Sequence, residues 1–286
     1  MTPQLPGPVL VTGMGLMGAS LAAALKAIGV EVLVHHHRPE TARRAEALGC
    51  GRAVEDLTTP AAIAVVCTPV STIPAIVRAI AAGPTPIITD VGSTKGGLVA
   101  DLADLADRFI GSHPMCGSHR HGLEAADPDL YRGRLTILTP SAATPPDRLA
   151  ILARLWRTVG CRLVEIDPQE HDRLVAQASH LPHVMANITA ALLTPAAAPL
   201  CAGGFRDTTR VAAGSTTMWA DILTANAEAV ETMALAAERR LAELRHLMAH
   251  QDKPGILRWL SEGHEGRALY ERINADGHRP ETPCAS

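Results

Sequence analysis

The chain has 286 residues, 47% of them apolar and 19% charged, which is length enough for one large or two medium domains and too apolar for a disordered polymer. Aromatic residues make up only 2%, and 26 basic against 29 acidic side chains give a net charge of -3, which argues against base-stacking modules and whole-surface polyanion binding, so no nucleic-acid partner is expected. The six cysteines form no CxxC pair, which reads as a reducing cytoplasm, and no signal peptide or membrane span is visible.

From Val9 to about Pro140, β-rich runs alternate with helical patterns: Val9 to Thr12, Glu31 to Val34, Ile63 to Cys67, Pro86 to Asp90, Arg108 to Gly111 and Leu135 to Thr139. Alternation of this kind predicts a parallel sheet with crossover helices. One further strand is expected at Arg162 to Ile166, and from about Pro168 the pattern turns helical. The expected division is therefore a dinucleotide-binding domain over 1–166 and an all-α domain over 167–286. Within Ala225 to His250, the apolar residues Val230, Met233, Leu241, Leu244 and Met248 recur at helical spacing among Glu and Arg, suiting a helix packed on its own domain or on a second subunit. The tail from Asn274, with Gly277, Pro280 and Pro283, reads as frayed.

Gly13-Met14-Gly15-Leu16-Met17-Gly18 follows the first strand and opens a helix with Leu21, Leu25 and Ile28 on one face. Gly13 permits the tight turn, Gly15 lets a pyrophosphate approach the backbone, and Gly18 lets the helix lie close to the strand. An NAD site normally presents Asp or Glu about 20 residues beyond the first glycine. Here the second strand ends in His35-His36-His37-Arg38-Pro39. Without a carboxylate there, and with Arg38, Arg43 and Arg44 available to a 2'-phosphate, NADP is expected, with NAD as the alternative. The expected cofactor contacts are Gly13, Gly15, Leu16, Met17, Gly18, Thr68, His36, His37 and Arg38. Adjacent strand residues point to opposite faces, so the three histidines do not make a metal site.

Four later segments carry chemistry. Asp90-Val91-Gly92-Ser93-Thr94-Lys95 follows a strand and starts a helix, placing Ser93 at the carboxyl edge of the sheet, as a helix cap or as part of a site. His113-Pro114-Met115-Cys116-Gly117-Ser118 follows the Arg108 to Gly111 strand and is expected to bring an imidazole to the same edge. His171-Asp172 and Ser179-His180-Leu181-Pro182-His183 put polar groups on an otherwise core-like helix, where they could simply be satisfied buried histidines. Gly203 to Gly214, followed by Met218-Trp219, combines flexible glycines with Arg206 and Arg210, either of which could be an ordinary surface ion pair.

Taken in order, GMGLMGAS, DVGSTK, HPMCGS, HD with SHLPH, and GGFRDTTR with MW resemble the prephenate and arogenate dehydrogenases of tyrosine biosynthesis, from Gly13 to about Ala249. The resemblance implies a Rossmann-type N-terminal domain, a helical C-terminal dimerisation domain forming a homodimer, and oxidative decarboxylation of a cyclohexadienyl substrate with a nicotinamide cofactor. It also implies that His113 accepts a hydrogen bond from the substrate's ring hydroxyl, that Ser93 orients that histidine, and that Arg210 holds the carboxylate-bearing side, with His180 and Gly214 in the substrate pocket. Prephenate-selective members often carry a Glu shortly after the HPxxG segment, where this chain has Ser118-His119-Arg120-His121. Two other readings stand beside this one: another two-domain NADP dehydrogenase acting on a hydroxy acid or imine, and a nucleotide-sensing protein without turnover. The first normally needs a lysine or aspartate base on the interdomain helix, and Gln169 to Pro182 offers no lysine.

Overall fold

The computed structural model describes residues 5–116 and 122–277. Compactness divides the chain into two units, 1–230 and 231–286.

The first unit opens with β1 (Val9–Thr12), α1 (Leu16–Ala27), β2 (Val32–His35), α2 (Pro39–Ala47), β3 (Arg52–Ala53), β4 (Ile63–Val66), α3 (Ile73–Ala81) and β5 (Ile88–Asp90). These strands form one parallel sheet in the order β3-β2-β1-β4-β5. Strands β1 and β4 are buried at every position, because helices cover both faces and a parallel sheet so covered needs an unbroken apolar run. Alternate residues feed two cores: Val9, Val11, Val32, Val34, Ile63 and Val65 pack on one face, and Leu10, Leu33, Ala64, Val66 and Ile88 on the other. That division follows from the two-residue period of the strand.

After α4 (Gly96–Asp101), the chain makes a second, three-stranded sheet from β6 (Gly111–Pro114), β7 (Leu135–Thr139) and β8 (Arg162–Glu165), with α5 (Pro146–Thr158) between the last two. Strand β6 runs antiparallel to β7, and β7 parallel to β8. The expected strand at Arg108 to Gly111 is thus displaced: only an isolated bridge from Ile88 to Phe109 occurs there, and His113-Pro114, expected in a loop, lies in the strand. Proline is tolerated because β6 is an edge strand of its sheet. The buried Trp156 of α5 donates to Ser112 Oγ at 3.0 Å, and Ser112 Oγ lies 2.6 Å from Thr89 Oγ1. These bonds tie β6 to β5 and satisfy the Ser112 hydroxyl, one of the polar groups that made β6 look like a loop.

Helices α6 (Pro168–Val175) and α7 (Leu181–Ala191) are joined by a π-helical turn over Ala176–His180. Then come α8 (Gly203–Thr209), a 3-10 turn over Arg210–Ala213, and α9 (Thr216–Ala225). Helix α10 (Ala227–Ala249) leads into α11 (Lys253–Gly277), so the helix persists through Gly277, beyond the Asn274 where fraying was expected. Within the second unit, Arg240 pairs with Glu262 at 2.7 Å and lies over the Trp259 ring at 5.2 Å. Among the described residues no helix is long and apolar enough to cross a membrane.

Candidate active site

Gly13 adopts φ +94°, and a Cβ there would meet the Cys67 carbonyl oxygen at 2.4 Å; a Cβ on Gly18 would lie 2.0 Å from the Gly13 oxygen. Only glycine satisfies both positions. Gly15 has nothing within 4 Å of an added Cβ, so the loop is open where a ligand would approach it. Helix α1 has neither a side-chain cap nor an acidic residue in its first turn, which leaves the amides of Leu16, Met17 and Gly18 available to an anion. Tyr131 anchors the same turn by donating to the Met17 carbonyl at 2.8 Å. Thr68 lies beside Gly13 and accepts from Thr72 Oγ1 at 2.9 Å. These features fit a dinucleotide pyrophosphate.

At the end of β2, a cleft of about 300 Å³ is lined by His35, His36, His37 and Arg43, together with Glu46 and Glu55. The expected reserve of cations there is partly used up: Arg43 pairs with Glu55 at 2.9 Å and Arg44 with Glu124 at 2.6 Å. Arg38 has no ion pair among the described residues, and its amide donates to His36 Nδ1 at 3.0 Å. Burial, followed by the neighbouring His37, lowers the pKa of His36 below its ordinary 6.5.

The second polar centre is built around Asp90 at the end of β5. Its Oδ2 receives the Lys95 ammonium and the Gly92 amide, each at 2.7 Å, while Oδ1 receives the Ser112 amide at 3.2 Å. Lys95, fully buried, also donates to the carbonyls of Gly92 at 2.7 Å and Thr94 at 3.1 Å. All three ammonium protons therefore have acceptors. Asp172, from α6, accepts the Lys95 and Gly96 amides at 2.8 Å each. It thus caps α4 from a distance, and Ser93 does not act as the cap.

His113, buried in β6, places Nδ1 2.9 Å from Nε2 of His171, whose own Nδ1 is 2.7 Å from Asp172 Oδ1. Residues from the two sequence halves thus meet within one compact unit. Among the described residues no hydrogen bond joins His113 to Ser93, which is half-buried in the loop between β5 and α4. Burial first, then the nearby Lys95 ammonium and the rings of His171 and His180, hold the His113 pKa well below 6.5. The imidazole is consequently neutral at physiological pH and able to accept a proton.

His180 is presented by the π-helical turn, 3.2 Å from Asn226 Nδ2, which also donates to the Asp172 carbonyl at 2.8 Å. Burial pushes its pKa down to about 4. Trp219 stacks on His183 with ring centroids 3.5 Å apart and meets His180 edge-on at 6.0 Å. A Cβ on Gly214 would lie 2.9 Å from the Trp219 indole nitrogen, so glycine lets the indole pack there. Arg206 pairs with Asp207 at 3.1 Å. Arg210 is exposed, with no ion pair among the described residues. The residues Ser118, His119, Arg120 and His121 lie outside the described part of the chain.

The family model described as "Prephenate dehydrogenase, nucleotide-binding domain" matches residues 21–165, and "Prephenate dehydrogenase, dimerization domain" matches 167–262. The chain belongs to the prephenate dehydrogenase family. Among curated relatives, cyclohexadienyl dehydrogenase of Zymomonas mobilis is 33% identical over 91% of this chain and 94% of its own. Prephenate dehydrogenase of Bacillus subtilis is 32% identical over 92% of this chain and 76% of its own. Prephenate dehydrogenase from A. aeolicus, solved with hydroxyphenyl propionate and NAD+, superimposes with a TM-score of 0.86 at 29% identity, covering 94% of this chain and 100% of that one. Synechocystis arogenate dehydrogenase gives 0.81 at 29% identity, covering 92% and 99%. The family match begins at residue 21, so the glycine loop at 13–18 is assigned by its own geometry.

Three features had little signal in the sequence. Lys95 stood in a motif without a role, Asn226 had no local pattern, and the linkage of His171 to His113 spans 58 positions.

Proposed function

We propose that this protein performs oxidative decarboxylation of arogenate or prephenate in tyrosine biosynthesis, with hydride passing from the ring hydroxyl carbon to nicotinamide. The observation that carries this reading is a buried, neutral His113, linked to His171, in a chain of this family whose glycine loop fits a dinucleotide. His113 accepts the hydrogen bond of the ring hydroxyl as hydride departs from the same carbon. Loss of carbon dioxide then supplies the electron pair that makes the ring aromatic, so the substrate itself drives the second half of the reaction. The bound dinucleotide supplies the hydride acceptor. Ser93 helps orient the reacting groups, Arg210 clamps a substrate carboxylate with its planar fork, and His180 and Gly214 shape the pocket with Trp219.

The residues that hold the cofactor are Gly13, Gly15, Leu16, Met17, Gly18 and Thr68 on the phosphate side, with His36, His37 and Arg38 toward the ribose. The absence of a carboxylate at His36 supports NADP over NAD, with Arg38 as the phosphate partner. We place the domain division at 166/167 and the enzyme in the cytoplasm as a homodimer. The exposed Leu241, Met248, Leu257 and Leu260 on α10 and α11 support pairing with a second copy through the helical domain. The deciding experiment incubates purified protein with prephenate and with arogenate, each with NAD and NADP, and reads reduced cofactor together with released carbon dioxide.

A further inference from the structure

The chain of contacts from Asp172 through His171 to His113 fixes where protons sit. Asp172 receives two backbone amides, on Oδ1 and on Oδ2, and a carboxylate can only accept, so the hydrogen in the 2.7 Å contact belongs to His171 Nδ1. An imidazole that holds its one ring hydrogen on Nδ1 carries a lone pair on Nε2. That lone pair faces His113 Nδ1 at 2.9 Å, which must therefore be the protonated nitrogen of His113. The remaining nitrogen, Nε2, is left as the acceptor, and no partner to it occurs among the described residues.

We propose that His171, oriented by Asp172, is a positioning residue that holds His113 as its Nδ1-H tautomer, so that Nε2 is the base presented to the substrate hydroxyl. This rests on the reading of His113 as the base. The structure favours His171 over Ser93 for the task because His171 is fully buried and in contact with the ring, whereas Ser93 makes no bond to it. The linkage also explains why α4 and α6 must be held in register: the same carboxylate that orients His171 caps α4 through Lys95 and Gly96.

The test is long-range ¹H–¹⁵N correlation on histidine-labelled protein, with the His113 signals identified by their loss in His113→Asn. Protonation of His113 at Nδ1 is expected in the wild type, and a resting Nε2-H form would overturn the proposal whether or not the enzyme turns over. His171→Phe removes the acceptor; kcat should fall by about 10²-fold, with dinucleotide affinity within roughly twofold and the tautomer moved toward Nε2-H. His171→Gln can turn its amide oxygen to His113 Nδ1 and should recover most of the loss. If both variants lose kcat equally while the tautomer stays at Nδ1, His171 is not the residue that sets it. A failure of the substrate assay with the Nδ1-H form intact would instead count against the assigned reaction alone.

Discussion

Replacing Lys95 with Met tests the polar centre under the site. Lys95 and Asp90 are both fully buried and 2.7 Å apart, and removing one partner of such a pair leaves an uncompensated buried charge, at about 3 to 5 kcal/mol. The carbonyls of Gly92 and Thr94 lose their ammonium donor in the same step, which favours the upper part of that range. For chains of this size each kcal/mol corresponds to about 2 to 4 °C, so scanning calorimetry should show the main transition lower by roughly 6 to 20 °C. Adding Asp90→Asn removes the stranded charge and should restore about half of the loss, since neutral replacements of buried pairs are well tolerated. Lys95 is also the largest of the charges that depress the His113 pKa. Its removal should therefore move the acid limb of kcat/KM to higher pH. A Lys95→Met protein that melts within about 2 °C of wild type, or a double variant no more stable than the single, would refute this reasoning.

His113→Asn should lower turnover by about 10² to 10⁴ with cofactor affinity nearly unchanged, and wild-type activity, which needs the neutral ring, should persist below pH 6.5 and be lost only as pH falls through the depressed His113 pKa. Arg210→Ala should chiefly raise KM, because a carboxylate clamp acts in ground and transition states alike; an unchanged KM would move the role to Arg206. NADP should be preferred over NAD by roughly tenfold, the lower end for a charge-assisted contact because Arg38 is exposed, and Arg38→Ala with His36→Asp should reverse the ratio. Since the His36 pKa lies below 6.5, any strengthening of that preference by histidine protonation is expected at more acidic pH than the ordinary value implies.

The parallel sheet was legible because β1 and β4 are apolar at nearly every position, the mark of strands covered on both faces. Strand β6 was not, because Ser112, His113 and Pro114 read as a loop, and it takes long-range partners, Trp156 and Thr89 for Ser112 and His171 for His113, to make the polar groups compatible with burial. Strand β3, with two residues, is too short to leave a pattern. His113 was legible from its motif, whereas its linkage to His171 depends on β6 meeting α6, which has no local signature. The pairing of Arg43 with Glu55 was hidden for a similar reason: it joins α2 to the loop after β3.

The central claim is tested most directly by the two-substrate, two-cofactor assay on purified, folded protein. Reduced nicotinamide and carbon dioxide should appear in equal amounts with prephenate, arogenate or both, and more efficiently with NADP. Absence of both products in all four combinations would contradict the assignment.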